Sequence, residues 1–84
     1  MSKGVQEMID RLIEIAARAL DVAPATLSAD TVFAKHRNWD SFAALALVYG
    51  IEEAYGVLLG YGALGAAKTL GEVADLVQAR LSLK

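Results

Sequence analysis

Eighty-four residues, 56% hydrophobic and 21% charged, suit one folded domain over 1–84 with a single core, and exclude both a disordered tail and two functional domains. Eight basic against ten acidic residues give a net charge of −2, without a basic cluster to neutralise a row of phosphates, so nucleic acid is not an expected partner. Cysteine is absent, which removes disulfides, thiolate metal sites and a cysteine nucleophile.

The start, Met1-Ser2-Lys3-Gly4, runs into a charged amphipathic pattern and lacks the apolar stretch of a secretion signal, so the expected location is cytoplasmic. From Val5 to Leu20, Val5, Met8, Ile9, Leu12, Ile13, Ala16 and Leu20 recur at three- and four-residue steps, which predicts an amphipathic helix with one buried face. Glu7 with Arg11 and Glu14 with Arg18 are spaced as i,i+4 pairs on the opposite, solvated face, each pair contributing about 0.2–0.5 kcal/mol.

Asp21 to Asn38 has no period and holds the single proline, Pro24, with the turn formers Ser28, Asp30 and Thr31. A loop this long needs short helical turns and buried anchors, for which Val22, Leu27, Val32 and Phe33 are the candidates.

Asn38-Trp39-Asp40-Ser41-Phe42 then separates this polar stretch from an unbroken apolar run, Ala43 to Ile51. Asp and Ser are both residues that satisfy free N–H groups at a helix start, so a second helix is predicted over Ser41 to Tyr55, closed by Gly56. One of its faces, Ala44, Leu47, Val48, Ile51 and Tyr55, has core spacing. The other, Phe42, Leu45, Ala46 and Tyr49, is apolar too, and the first charges are Glu52 and Glu53. A small bundle cannot bury a helix all round, so this second face is expected to dock something.

Gly56 to Ala67 is uncharged and glycine-rich, and supports at most a short helix. Ala54 to Ala67 is uncharged over fourteen residues, too few for the ~20 that span a bilayer, so no membrane span is expected. Thr69-Leu70-Gly71-Glu72 matches the capping box and opens a last helix with Leu70, Val73, Ala74, Val77 and Leu81 on one face. The fold class is therefore all-α, a three-to-four-helix bundle with a long loop between helices 1 and 2.

Gly60-Tyr61-Gly62-Ala63-Leu64-Gly65 spells a dinucleotide-binding fingerprint, but without the strands that fingerprint requires it reads as a glycine connection. His36 is the single histidine, five residues before Ser41, with no nucleophile elbow around the serine. It reads as an exposed loop residue, and the chain as one without catalytic residues of its own. One histidine and scattered carboxylates give no metal site.

The order of elements, with Trp39-Asp40-Ser41-Phe42 at the head of the second helix, Glu52-Glu53-Ala54-Tyr55-Gly56 at its close and Thr69-Leu70-Gly71-Glu72-Val73 after a short connection, resembles the acyl carrier protein family. Asp21-Val22-Ala23-Pro24 resembles the turn that closes that family's first helix, and Asp30-Thr31-Val32-Phe33 its loop anchor. The resemblance covers nearly the whole chain. It implies a non-enzymatic carrier whose Ser41 bears covalent 4′-phosphopantetheine, placed there from coenzyme A by a phosphopantetheinyl transferase. It also implies that Asp40 belongs to the attachment motif as well as to the helix cap, and that acyl-activating or acyl-transferring enzymes are the partners of a monomer.

Phe42 stands where the family has leucine, and the acids usual after the serine are replaced by Ala43, Ala44 and Ala46. Glu52 and Glu53 lie about 16–18 Å farther along the helix, so the expected partner face, Phe42, Leu45, Ala46 and Tyr49 with Glu52 and Glu53 beyond, is apolar near the attachment point. That favours a specialised carrier over the general one of fatty acid synthesis. Ile13, Leu47, Ile51 and Val77 are placed to line a cleft if the bundle sequesters its cargo. Two alternatives remain open, an aminoacyl or peptidyl carrier and a non-catalytic helical interaction module in which Ser41 only caps.

Overall fold

A computed structural model describes residues 3–83, and among these the chain forms four α-helices and no strand. They are α1 (Lys3–Leu20), α2 (Ser41–Tyr55), α3 (Tyr61–Ala66) and α4 (Leu70–Ser82), with 3-10 turns at Pro24–Thr26 and Phe33–Lys35 in the long loop. Among the described residues, no helix is long and apolar enough to cross a membrane.

Helix α1 follows its periodicity: Met8, Ile9, Leu12, Ala16, Ala17 and Leu20 are buried. It closes at Asp21, whose φ of 57° is in the left-handed region. The Asp21 N–H donates to the Arg18 carbonyl at 3.3 Å and the Val22 N–H to Ala17 at 2.9 Å, which satisfies two of the helix's last carbonyls. On the outer face the side-chain pair that closes is Gln6 with Asp10 at 3.0 Å, not the expected Glu7–Arg11 and Glu14–Arg18 ion pairs. Two long exposed side chains gain too little from pairing to offset the rotamer freedom they give up.

The loop is held at both ends and in the middle. Leu27 and Phe33 are buried, and the half-buried Trp39 packs edge-on against Phe33 with ring centroids 5.2 Å apart. Val22 is half-buried against the core. Val32, expected as a further anchor, is 39% exposed. Its contribution is through the backbone, because it pairs with Thr69 in an isolated antiparallel bridge that turns its side chain outward. Next to this bridge the Leu70 N–H donates to the Thr31 carbonyl at 3.2 Å and the Gly71 N–H to Ala29 at 2.9 Å. The loop thus supplies acceptors for N–H groups that the first turn of α4 cannot satisfy internally. The capping box completes that turn, with Glu72 N–H to Thr69 Oγ1 at 3.2 Å and Thr69 N–H to Glu72 Oε2 at 3.0 Å.

Helix α2 ends at Gly56, which takes a φ of 68° and donates its N–H to the Glu52 carbonyl at 2.7 Å. Its buried stripe is Ala43, Leu47 and Ile51, with Ala44, Val48 and Tyr55 half-buried. The expected core face is thus rotated slightly toward Ala43, which lies one turn before Leu47 on the line that meets the bundle interior. Helix α3 is one and a half turns long and buries Leu64. The interior is closed: Leu12, Leu47, Ile51, Leu59, Leu70, Val73 and Val77 are all at most 1% exposed.

Candidate functional site

Ser41 is the first residue of α2, and three tethers fix the chain just before it. Asn38 donates from Nδ2 to the Leu20 carbonyl at 3.0 Å, tying the loop end to the last turn of α1. Trp39 is wedged against Phe33, and its N–H donates to the His36 carbonyl at 3.0 Å. Asp40 is the N-cap, with Oδ1 accepting from the Ala43 N–H at 2.8 Å and its carbonyl accepting from the Ala44 N–H at 3.0 Å.

This division of labour decides what Ser41 does locally. Asp and Ser can both cap, and here the aspartate does. The Ser41 side chain is exposed and makes no hydrogen bond among the described residues. The N–H groups of Ser41 and Phe42 lack intrahelical acceptors, as they must in a first turn, and they stand at the positive end of the helix dipole. A hydroxyl that the fold does not use, on a rigid corner, beside two unsatisfied N–H donors, fits a phosphate ester. Asp40→Ala is expected to lower the unfolding free energy by about 0.5–2 kcal/mol, and Ser41→Ala by less than about 0.5 kcal/mol. Urea unfolding of the two variants checks this, and equal losses would contradict it.

His36 is half-buried rather than exposed. Its Nδ1 accepts from the Asn38 N–H at 3.0 Å, so the ring braces the turn that presents Trp39 and Asp40. It is a structural part of the corner. Among the described residues, no group of three or more His, Asp or Glu is arranged to hold a metal ion. The glycine fingerprint of Gly60–Gly65 lies on α3 and the residue before it, with no strand on either side.

The second face of α2 is solvent-facing along its length. Phe42 is 80% exposed, Tyr49 64% and Leu45 54%, and Ala46 between them is exposed too. Glu52 and Glu53 follow at the far end, both exposed. A hydrogen bond from Tyr49 to the Glu53 carboxylate, with the negative charge of Glu53 and more weakly of Glu52, holds the Tyr49 hydroxyl above the usual tyrosine pKa. The expected partner residues therefore form one surface: Phe42, Leu45, Ala46 and Tyr49 lead from Ser41 toward the two acids.

Two residues that matter here carried no signal in the sequence. Asn38 reads as one more polar loop residue, and its bond to Leu20 spans eighteen positions. Gly50 reads as a weak point in a helix, yet a Cβ built on it would lie 2.5 Å from Ile15 Cγ2, so it is what lets α1 and α2 approach.

No protein-family model matches the chain, and no curated protein matches it.

Proposed function

We propose that this chain is a carrier domain of the acyl carrier protein type, with 4′-phosphopantetheine attached through Ser41. The observation that supports this best is that Asp40 caps α2 and leaves the Ser41 hydroxyl exposed and unused at a tethered helix start. In the attachment step the Ser41 oxygen forms a bond to the pantetheine-bearing phosphorus of coenzyme A. The diphosphate P–O bond breaks, adenosine 3′,5′-bisphosphate leaves, and the hydroxyl proton passes to a base on the transferase.

Attached there, the group supplies a thiol that holds an acyl or related cargo as a thioester. The chain's own residues would position it. Asp40 keeps the helix start in register, the free N–H groups of Ser41 and Phe42 favour the phosphodiester charge, and Phe42 beside the attachment point offers an apolar knob to partner pockets. The chain itself catalyses nothing; a phosphopantetheinyl transferase and acyl-activating or acyl-transferring enzymes of the cytoplasm act on it as a monomer.

Phe42, Leu45 and Tyr49 with no acid before Glu52 indicate docking by apolar contact, and so a carrier with a narrow set of partners. The affinity of such a partner, measured by calorimetry, is expected to change little between low and high salt, because burial of apolar surface is not screened. A steep loss with salt would contradict apolar docking. The function itself is tested by transfer from coenzyme A with a broad-specificity transferase, followed by fragmentation of the modified peptide. Modification on Ser41 supports it, and modification elsewhere or none opposes it. The same exposed face supports an alternative, a non-catalytic interaction module in which α2 binds a protein, and absence of transfer would favour that.

A further inference from the structure

Phe42 and Tyr49 project from the outer face of α2, on one stripe with Ala46 and Glu53, because steps of three and four residues return to the same side of a helix. Beside the C-terminal half of this stripe the surface falls into a hollow of about 520 Å³ between α1 and α2. Half-buried Ile15, Gly50 and Ala54 form its floor, with Tyr49 and Glu53 on the α2 rim and Arg18 on the α1 rim. It stays open because glycine and alanine occupy the α2 positions that face α1 there.

Knob and hollow therefore lie toward opposite ends of one short helix, Phe42 in its first turn and Gly50 with Ala54 in its last two. A two-fold axis crossing α2 at the level of Leu47 and Val48 lays a second α2 antiparallel on the first, with position 42 opposite 53 and 46 opposite 49. Each Phe42 ring then meets the other copy's hollow, and each Tyr49 lies on the other's Ala46, large against small in both places. A foreign partner would have to bring both complements; a second copy already carries them. Charge follows the same symmetry. Exposed Glu52 and Glu53 mark the C-terminal end of the stripe. Near its other end stand Arg37, which shares a depression with Phe42 and Ala46, and Arg18, adjoining Ala19 and Leu20 of that depression. Of the two acids there, Asp40 is engaged by the Ala43 N–H and Asp21 closes α1. Antiparallel pairing sets the arginine end of one copy against the glutamate end of the other, whereas a parallel pair would set the glutamates against themselves.

We propose that the free chain pairs with a second copy of itself through the outer face of α2, antiparallel about a two-fold axis, with Phe42 of each copy seated in the α1–α2 hollow of the other. A strip about 17 Å long and one helix, about 10 Å, wide falls well short of the roughly 800 Å² per partner that stable complexes bury, so the pair is weak and reversible. It does not depend on attachment at Ser41, and the enzymes of the proposed function act on the chain once the pair has separated.

Sedimentation equilibrium of the unmodified chain from micromolar to millimolar concentration tests the pairing. The mass is expected to rise from 8.9 kDa toward twice that value. Phe42→Glu, at a position 80% exposed, sets a carboxylate opposite Glu53 and should hold the mass at one chain throughout, with the helical signal unchanged. Leu58→Glu, equally apolar and 65% exposed but outside the stripe, should keep the native concentration dependence. Amide spectra over the same dilution should shift at Ala46, Gly50, Glu53 and, across the seam, Ile15, and not in α4. A single-chain mass at every concentration, a doubled mass that persists in Phe42→Glu, equal weakening by Leu58→Glu, or shifts centred on Leu58 and Tyr61 would each overturn the pairing. All four leave the reading of Ser41 standing, because its modification is measured separately by mass.

Discussion

Phe33→Ala is expected to lower the unfolding free energy by about 3–5 kcal/mol, the usual cost of emptying a buried aromatic site. The size is unusual for a loop residue and follows from what Phe33 does. It is 1% exposed in a segment that has only two 3-10 turns of its own, and it carries the edge-on contact to Trp39. Such ring pairs add about 0.5–1.5 kcal/mol beyond burial. Removing it leaves a cavity beneath the loop and frees the residue two positions before Ser41. Urea unfolding measures the loss, and the fluorescence of Trp39, the single tryptophan, should shift toward that of a more solvated indole already in the folded baseline. A loss below about 1 kcal/mol, with unchanged fluorescence, would show that the loop is held by its backbone bonds to α4 instead. Against a typical total stability of about 5–15 kcal/mol, the expected loss brings a domain this small close to unfolding.

Gly50→Val is expected to cost about 1–3 kcal/mol through overpacking at the α1–α2 seam. Glycine in mid-helix is unfavourable by about 1 kcal/mol relative to alanine, so a side chain here would help an isolated helix. The bundle reverses that preference, because the new Cβ would fall 2.5 Å from Ile15 Cγ2 and 3.7 Å from Ile15 Cβ. The colliding methyl branches directly from Cβ, so relief requires a strained rotamer or a shift of α1. In an Ile15→Ala background the methyl is gone, and the Gly50→Val penalty should largely vanish. The double-mutant cycle isolates that coupling. A Gly50→Val penalty that is the same in both backgrounds would locate the cost in the helix itself.

Local signals made most of the helical boundaries readable. Thr69 and Glu72 announce α4 by reciprocal capping, Gly56 closes α2 in the left-handed region that glycine favours, and α1 follows its three- and four-residue spacing. Leu27 and Phe33 are recognisable anchors because an apolar side chain in a polar loop has few other uses. Val32 is not, because whether a loop valine turns inward depends on a backbone partner, Thr69, thirty-seven positions away. The contacts that set the corner are distant in sequence in the same way. Neither the bond of Asn38 to Leu20 nor the meeting of Gly50 with Ile15 leaves a local pattern.

At the candidate site, Asp40-Ser41 marks a helix start, but two adjacent capping residue types do not say which one caps. Only the geometry, with Asp40 Oδ1 at 2.8 Å from the Ala43 nitrogen, assigns the cap to the aspartate. That assignment gives the capping role to Asp40 and leaves the Ser41 side chain outside the cap.

The most direct measurement is therefore intact mass after incubation with coenzyme A, magnesium and a broad-specificity phosphopantetheinyl transferase, for the native chain and for Ser41→Ala side by side. The expected result is a gain of one phosphopantetheinyl group in the native chain and none in the variant, with both folded to the same helical content. No gain in the native chain, or a gain that persists in Ser41→Ala, would contradict it.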